Sequence, residues 1–110
     1  MLKIYNDGRR ITAALDGDID HHAARELRAA LDEVIAYSRP EVLILDFENV
    51  GFMDSSGIGL ILGRLKSVRA VGGEILIKNA RREIAEVIGL SGLSKLIIET
   101  RSDTKQTAKN

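Results

Sequence analysis

Polar and apolar residues follow two different periods along this chain, and the switches between them mark its elements. Leu2 to Asn6 and Ile11 to Leu15 read as two short strands, with Asp7-Gly8 between them as a hairpin signal. From Asp20 the spacing becomes helical. Ala24, Leu27, Leu31, Val34 and Ile35 share one face, Asp20 is placed to cap the first turn, and Arg39-Pro40 stops the helix. Val42 to Phe47 is a nearly unbroken apolar run, as expected for a strand inside a sheet covered by helices. Ile58, Ile61, Leu62, Leu65 and Val68 predict the apolar stripe of a second helix, closed by Gly72-Gly73. Glu74 to Lys78 predicts another buried strand. Arg82 to Ile88 predicts a short helix with Ile84, Val87 and Ile88 inward, and Lys95 to Glu99 a last strand. Residues 101–110 form a polar tail, in which Ser102 and Asp103 are able to start a weak helix.

Strands alternating with helices predict an α/β sheet with parallel crossovers, to which the opening hairpin adds an antiparallel edge. Sites in such sheets gather at the carboxyl ends of the strands. Two loops meet that condition, one holding Asp18, Asp20 and His21, the other Asp54 and Ser55. They are expected to form one surface.

Composition narrows the function classes. The length of 110 residues suits one domain spanning the chain, and a hydrophobic share of 45% favours a folded globule over disorder. Lys plus Arg and Asp plus Glu number 16 each, so no net charge drives the chain toward nucleic acid or an anionic membrane. The absence of cysteine excludes disulfides and thiolate metal sites and allows a cytoplasmic home. The first residues lack the apolar core of a signal peptide. No apolar run approaches the roughly 20 residues that span a bilayer, so a free-standing protein is expected.

The stretch Phe52-Met53-Asp54-Ser55-Ser56-Gly57-Ile58-Gly59 carries the candidate chemistry. It puts two hydroxyls, a carboxylate and two glycines where a strand hands over to a helix, beside unpaired N–H groups and a positive dipole end. Four readings compete: an ordinary N-cap with turn glycines, a phosphate-binding loop, a nucleophilic serine, and a serine that accepts a phosphoryl group as a switch. The phosphate loop lacks the lysine of G-x-x-x-x-G-K-[ST], and the nucleophile lacks G-x-S-x-G with a histidine nearby, since His21 and His22 lie far off in sequence. Asp54 beside Ser55 does not by itself make a general base, and no oxyanion machinery is visible, so a non-enzymatic role is favoured. Asp18, Asp20, His21 and His22 look superficially like metal ligands. However, adjacent histidines rarely face one ion, and no cofactor or metal is expected. Small residues at Gly57 and Gly59 suggest room for another protein's backbone at the helix start, whereas Gly63 suggests packing.

Residues 45–66, which contain that stretch, closely resemble the core motif of the anti-sigma factor antagonists, single-domain bacterial members of the STAS family. Gly17-Asp18-Ile19-Asp20-His21-His22, Gly72-Gly73-Glu74 and Leu90-Ser91-Gly92-Leu93 resemble three further family segments in the family's order. The combination of Asp-His-His with Phe-Met-Asp-Ser-Ser-Gly is most similar to the sporulation branch. The resemblance implies a STAS-type mixed sheet of four to five strands with helices mainly on one side. It also implies a cycle. The unphosphorylated protein binds an anti-sigma factor that is a serine kinase and so frees a sigma factor, sigma F for the sporulation branch. The kinase phosphorylates the serine after the Asp, here Ser55, and the complex dissociates; a serine phosphatase reverses the step. Asp20, His21, Asp54, Ser56, Gly57, Ile58 and Gly59 are then the expected partner contacts, with Ser56 the competing acceptor. A general-stress antagonist, a ligand-binding STAS domain and a small serine enzyme remain alternatives.

Overall fold

The structure is a computed structural model that describes residues 2–100; the expected polar tail or weak helix lies outside the described residues. Strands β1 (Leu2–Asp7) and β2 (Arg10–Asp16) form an antiparallel hairpin, with Leu2 opposite Leu15 and Asp7 opposite Arg10. Gly8 makes the turn at φ 71°, where a side chain would be strained. Helix α1 (His21–Ser38) leads to β3 (Val42–Asn49), helix α2 (Ser55–Ala70) to β4 (Glu74–Ala80), and helix α3 (Arg82–Ile88) to β5 (Ile97–Thr100). A wide π-type turn over Gly89–Leu93, broken at Gly92, and a 3-10 turn over Ser94–Leu96 join α3 to β5. The last strand therefore begins two residues later than the sequence suggests.

The sheet order is β1-β2-β3-β4-β5, and every pair after the hairpin is parallel. Each crossover moves one strand along in the same direction. Right-handed crossovers that all advance one way put their helices on one face of the sheet. Ile11, Ala13 and Leu15 of β2, Leu43, Leu45 and Phe47 of β3, and Ile75 and Ile77 of β4 form one buried cluster with the helices. Their alternation along each strand shows which face is covered. Residues between them, such as Thr12, Leu76 and Lys78, point to the other face.

Helix α1 buries Ala24, Leu27, Leu31 and Ile35 as the spacing predicts, with Val34 half-buried against the cluster. Helix α2 begins at Ser55, where the serines are expected to meet a helix start, but its stripe departs from expectation: the buried residues are Gly57, Leu60, Ile61, Arg64, Leu65 and Val68. Leu62 is 47% exposed. At about 100° per residue, the true stripe is centred on Gly57, Arg64 and Val68, and Leu62 falls on the far side. Val87 of α3 is likewise exposed, while Ile84 and Ile88 are buried. Gly73 at the end of α2 is needed for space: a Cβ there would lie 2.2 Å from the Pro40 carbonyl oxygen.

Candidate functional site

Because β2 and β3 are parallel neighbours, the loops after them leave the sheet at the same end. Backbone hydrogen bonds then join the loops. The Ile19 N–H donates to the Phe52 carbonyl at 2.8 Å, the Asp54 N–H to the Ile19 carbonyl at 3.1 Å, and the Gly17 N–H to the Asn49 carbonyl at 3.0 Å. Ile19 and Met53 form an isolated parallel bridge, and both side chains are buried beneath it. The expected single surface therefore exists.

Each loop ends in an aspartate that caps a helix. Asp20 Oδ1 accepts from the Ala23 N–H at 2.9 Å, and Asp54 Oδ1 accepts from the Ser56 N–H at 2.8 Å. The two caps have nearly the same backbone, φ −98° and ψ −173° at Asp20 against φ −97° and ψ −170° at Asp54. This assigns the capping role to Asp54 and frees the hydroxyls. Ser55 is the first residue of α2 and is exposed; Ser56 is half-buried. An oxygen on Ser55 thus sits in the first turn, among N–H groups that lack intrahelical partners and at the positive end of the dipole.

His21 is exposed at the first position of α1. His22 turns away to Glu26, with 3.4 Å between Nε2 and Oε2. Among the described residues no group of three His, Cys, Asp or Glu side chains is placed to hold a metal ion. Phe52 is half exposed on the same loop as Asp54, and Ile58 and Gly59 follow Ser55 on the helix, half-buried and exposed. Gly57 is different. It is buried, and a Cβ there would come within 2.2 Å of Met53 Cγ and 2.3 Å of its sulfur. Packing on Met53 is itself enough to demand glycine at this position. Gly63 reverses the other expectation, since a Cβ there would meet nothing within 4 Å.

Sequence reasoning missed the basic residues beside this surface. A groove of about 310 Å³ runs between α1 and α2, lined by His21, Arg25, Arg28, Ser56 and Arg64 among others. Arg64 is 7% exposed, the one buried charged residue described. Burial pushes its guanidinium below the usual arginine range, Asp32 opposes that shift, and the like charge of Arg28 adds to it. The signal available in the sequence was a charged residue on an otherwise apolar stripe.

The STAS domain family model matches residues 3–108. An anti-sigma F factor antagonist of Paenibacillus polymyxa is 37% identical over 83 residues, 76% of this chain and 71% of the relative. The structure of the anti-sigma factor antagonist SpoIIAA in its unphosphorylated form superposes with a TM-score of 0.81 at 28% identity, covering 99% of this chain and 95% of that one. The phosphorylated form of SpoIIAA, a Bacillus cell fate determinant, superposes with a TM-score of 0.75 at 28% identity, covering 99% and 98%. In motif, sequence and fold alike, the chain belongs to the STAS domain family, beside relatives that are anti-sigma factor antagonists.

Proposed function

We propose that this protein is an anti-sigma factor antagonist working in the cytoplasm as a binding switch, set by phosphorylation of Ser55. Unmodified, it docks through the joined loops and the start of α2 onto an anti-sigma factor with serine kinase activity and releases the sigma factor. The P. polymyxa relative supports sigma F as the factor released. Phosphorylation of Ser55 ends the docking, and a serine phosphatase renews it. The protein is the substrate in this cycle, not an enzyme.

One observation carries the reading. Ser55 is exposed at the first position of α2, its hydroxyl relieved of capping by Asp54, and Asp20 is held on the same surface by backbone bonds. A phosphoserine carries about −1.5 to −2 charges near neutral pH. Placed there, it lies at the positive end of a helix, which accommodates it locally, and beside Asp54, where its charge and bulk oppose a tightly packed or acidic partner. Asp20, His21, Ser56, Ile58 and Gly59 complete the proposed contact surface, and Gly57, expected among the contacts, is buried against Met53 and supports that surface from beneath. No rearrangement of the fold is required. Leu60, Ile61, Leu65 and Val68 anchor the helix behind the serine, and burying one such side chain is worth about 1.5–3 kcal/mol, against about 0.3–1 kcal/mol for an exposed charge at a helix end.

Incubation with the cognate kinase and ATP, followed by mass-spectrometric site mapping, tests the assignment. Phosphate is expected on Ser55. Phosphate confined to Ser56, or to neither serine, would overturn it. Amide chemical shifts of the two forms should differ in the loops around Asp20 and Ser55, while β3 and β4 keep their positions.

A further inference from the structure

The groove between α1 and α2 has more positive charge than its own structure uses. Arg25 and Arg28 are exposed on α1 and Arg64 is buried at the facing position of α2. The only carboxylate placed against them among the described residues is Asp32, whose Oδ1 lies 2.8 Å from Arg64 Nε and whose side chain is 45% exposed. Nε is thus held by the ion pair with Asp32, while Nη1 of Arg64 is buried with no hydrogen-bond partner. A buried donor without an acceptor is costly, and charged donors more so. Two guanidiniums near enough to repel each other add to the cost. The groove is kept open on the α2 side by Gly59 and Gly63, where a Cβ would meet no atom within 4 Å. It is wide enough for a small ligand.

We infer that this groove is a binding site for a small phosphate monoester, held between Arg25 and Arg28 at the mouth and Arg64 at the floor. Three guanidiniums against one carboxylate leave two positive charges, which a phosphate dianion matches and a carboxylate does not. Planar guanidiniums also bind phosphate oxygens in pairs. His21 and Ser56 at the end nearest the helix starts supply further polar contacts. The site is separate from phosphorylation of Ser55, because its ligand is free and the chain unmodified.

Titration of the unmodified protein with inorganic phosphate, followed through the arginine Nε–Hε signals in NMR, tests the assignment. Sodium chloride of equal ionic strength and sodium acetate serve as comparisons. Phosphate should give saturable shifts at Arg64 with an apparent Kd of about 1 mM, as expected for a few charged contacts on a small ion. Acetate should bind at least several-fold more weakly. The double variant Arg25→Ala, Arg28→Ala changes only exposed side chains and should fold; its phosphate affinity should fall about tenfold or more, the loss of one good contact. Arg64→Lys keeps the charge but loses the planar fork and should also bind more weakly. Shifts that fail to saturate, that chloride or acetate reproduces, or that persist unchanged in the double variant would overturn the inference. None of these outcomes bears on Ser55, so the groove and the switch stand or fall apart.

Discussion

The two helix starts at the carboxyl end of the sheet are built alike and loaded differently. Asp20 and Asp54 cap α1 and α2 with almost the same backbone and side-chain geometry. After Asp20 come two histidines, a helix whose apolar stripe is plain, and an exposed cap. After Asp54 come two serines, a partly buried cap, a glycine pressed onto Met53, and a stripe with an arginine in its middle. The same local device thus serves two purposes. At α1 it starts a helix and presents polar groups. At α2 it does that and leaves a hydroxyl free on a helix fixed tightly beneath.

The largest expected effect separates the two starts by charge. Phosphorylated Ser55 should bind the anti-sigma factor at least a hundredfold less tightly, since like charges forced together at an interface cost several kcal/mol. Ser55→Asp should show part of that loss and Ser55→Ala almost none. Ser55 is not the cap, so Ser55→Ala should also melt close to wild type. Isothermal titration with the three proteins checks this, and equal affinity of the Asp and Ala variants would remove the electrostatic basis of the switch.

Next in size is packing. Gly57→Ala forces a methyl group into Met53 and should destabilise the fold by about 1–3 kcal/mol, as overpacked sites do, visible in urea unfolding. Nothing comparable constrains the corresponding turn of α1, where Ala23 and Ala24 are already tolerated. The caps follow. Asp54→Ala and Asp20→Ala should each cost about 0.5–2 kcal/mol, with Asp54 the larger because its bond is partly buried. Asp20→Ala should in addition weaken partner binding by more than its melting shift explains; normal affinity would leave Asp20 as a cap alone. The smallest effect has the opposite sign. Gly59→Ala meets no neighbour and should stabilise α2 by up to about 1 kcal/mol through helix propensity, while hindering a partner that approaches this turn.

Legibility in the sequence followed the same division. The hairpin, β3, β4 and α1 were readable because apolar runs and the 3.6 period were carried by plain aliphatic residues, whereas the start of β5 was misplaced by two residues because Lys95 and Leu96 lie in a 3-10 turn. Asp20 was readable as a cap because it precedes the periodic run without competitors. Helix α2 was read about one-fifth of a turn off. Its centre is occupied by Gly57 and Arg64, which no hydrophobic pattern counts, so exposed Leu62 took a place that belongs to Leu60. The cap of α2 was ambiguous because three capping residues stand in a row, and only the hydrogen bond to Ser56 decides among them. The arginine groove was hidden because its members are 39 positions apart, from Arg25 to Arg64, and meet only once two helices are laid side by side.

The bridge between Ile19 and Met53 has a consequence for how such a surface changes over generations. Its hydrogen bonds use only main-chain atoms. The spacing between the two helix starts is therefore indifferent to which side chains they display. With the caps at Asp20 and Asp54 kept, residues 21, 55 and 56 are free to vary in what they recognise while the gauge between them stays constant. A lineage built on this frame is able to acquire new partners one substitution at a time, without refitting the geometry on which the old partner depended.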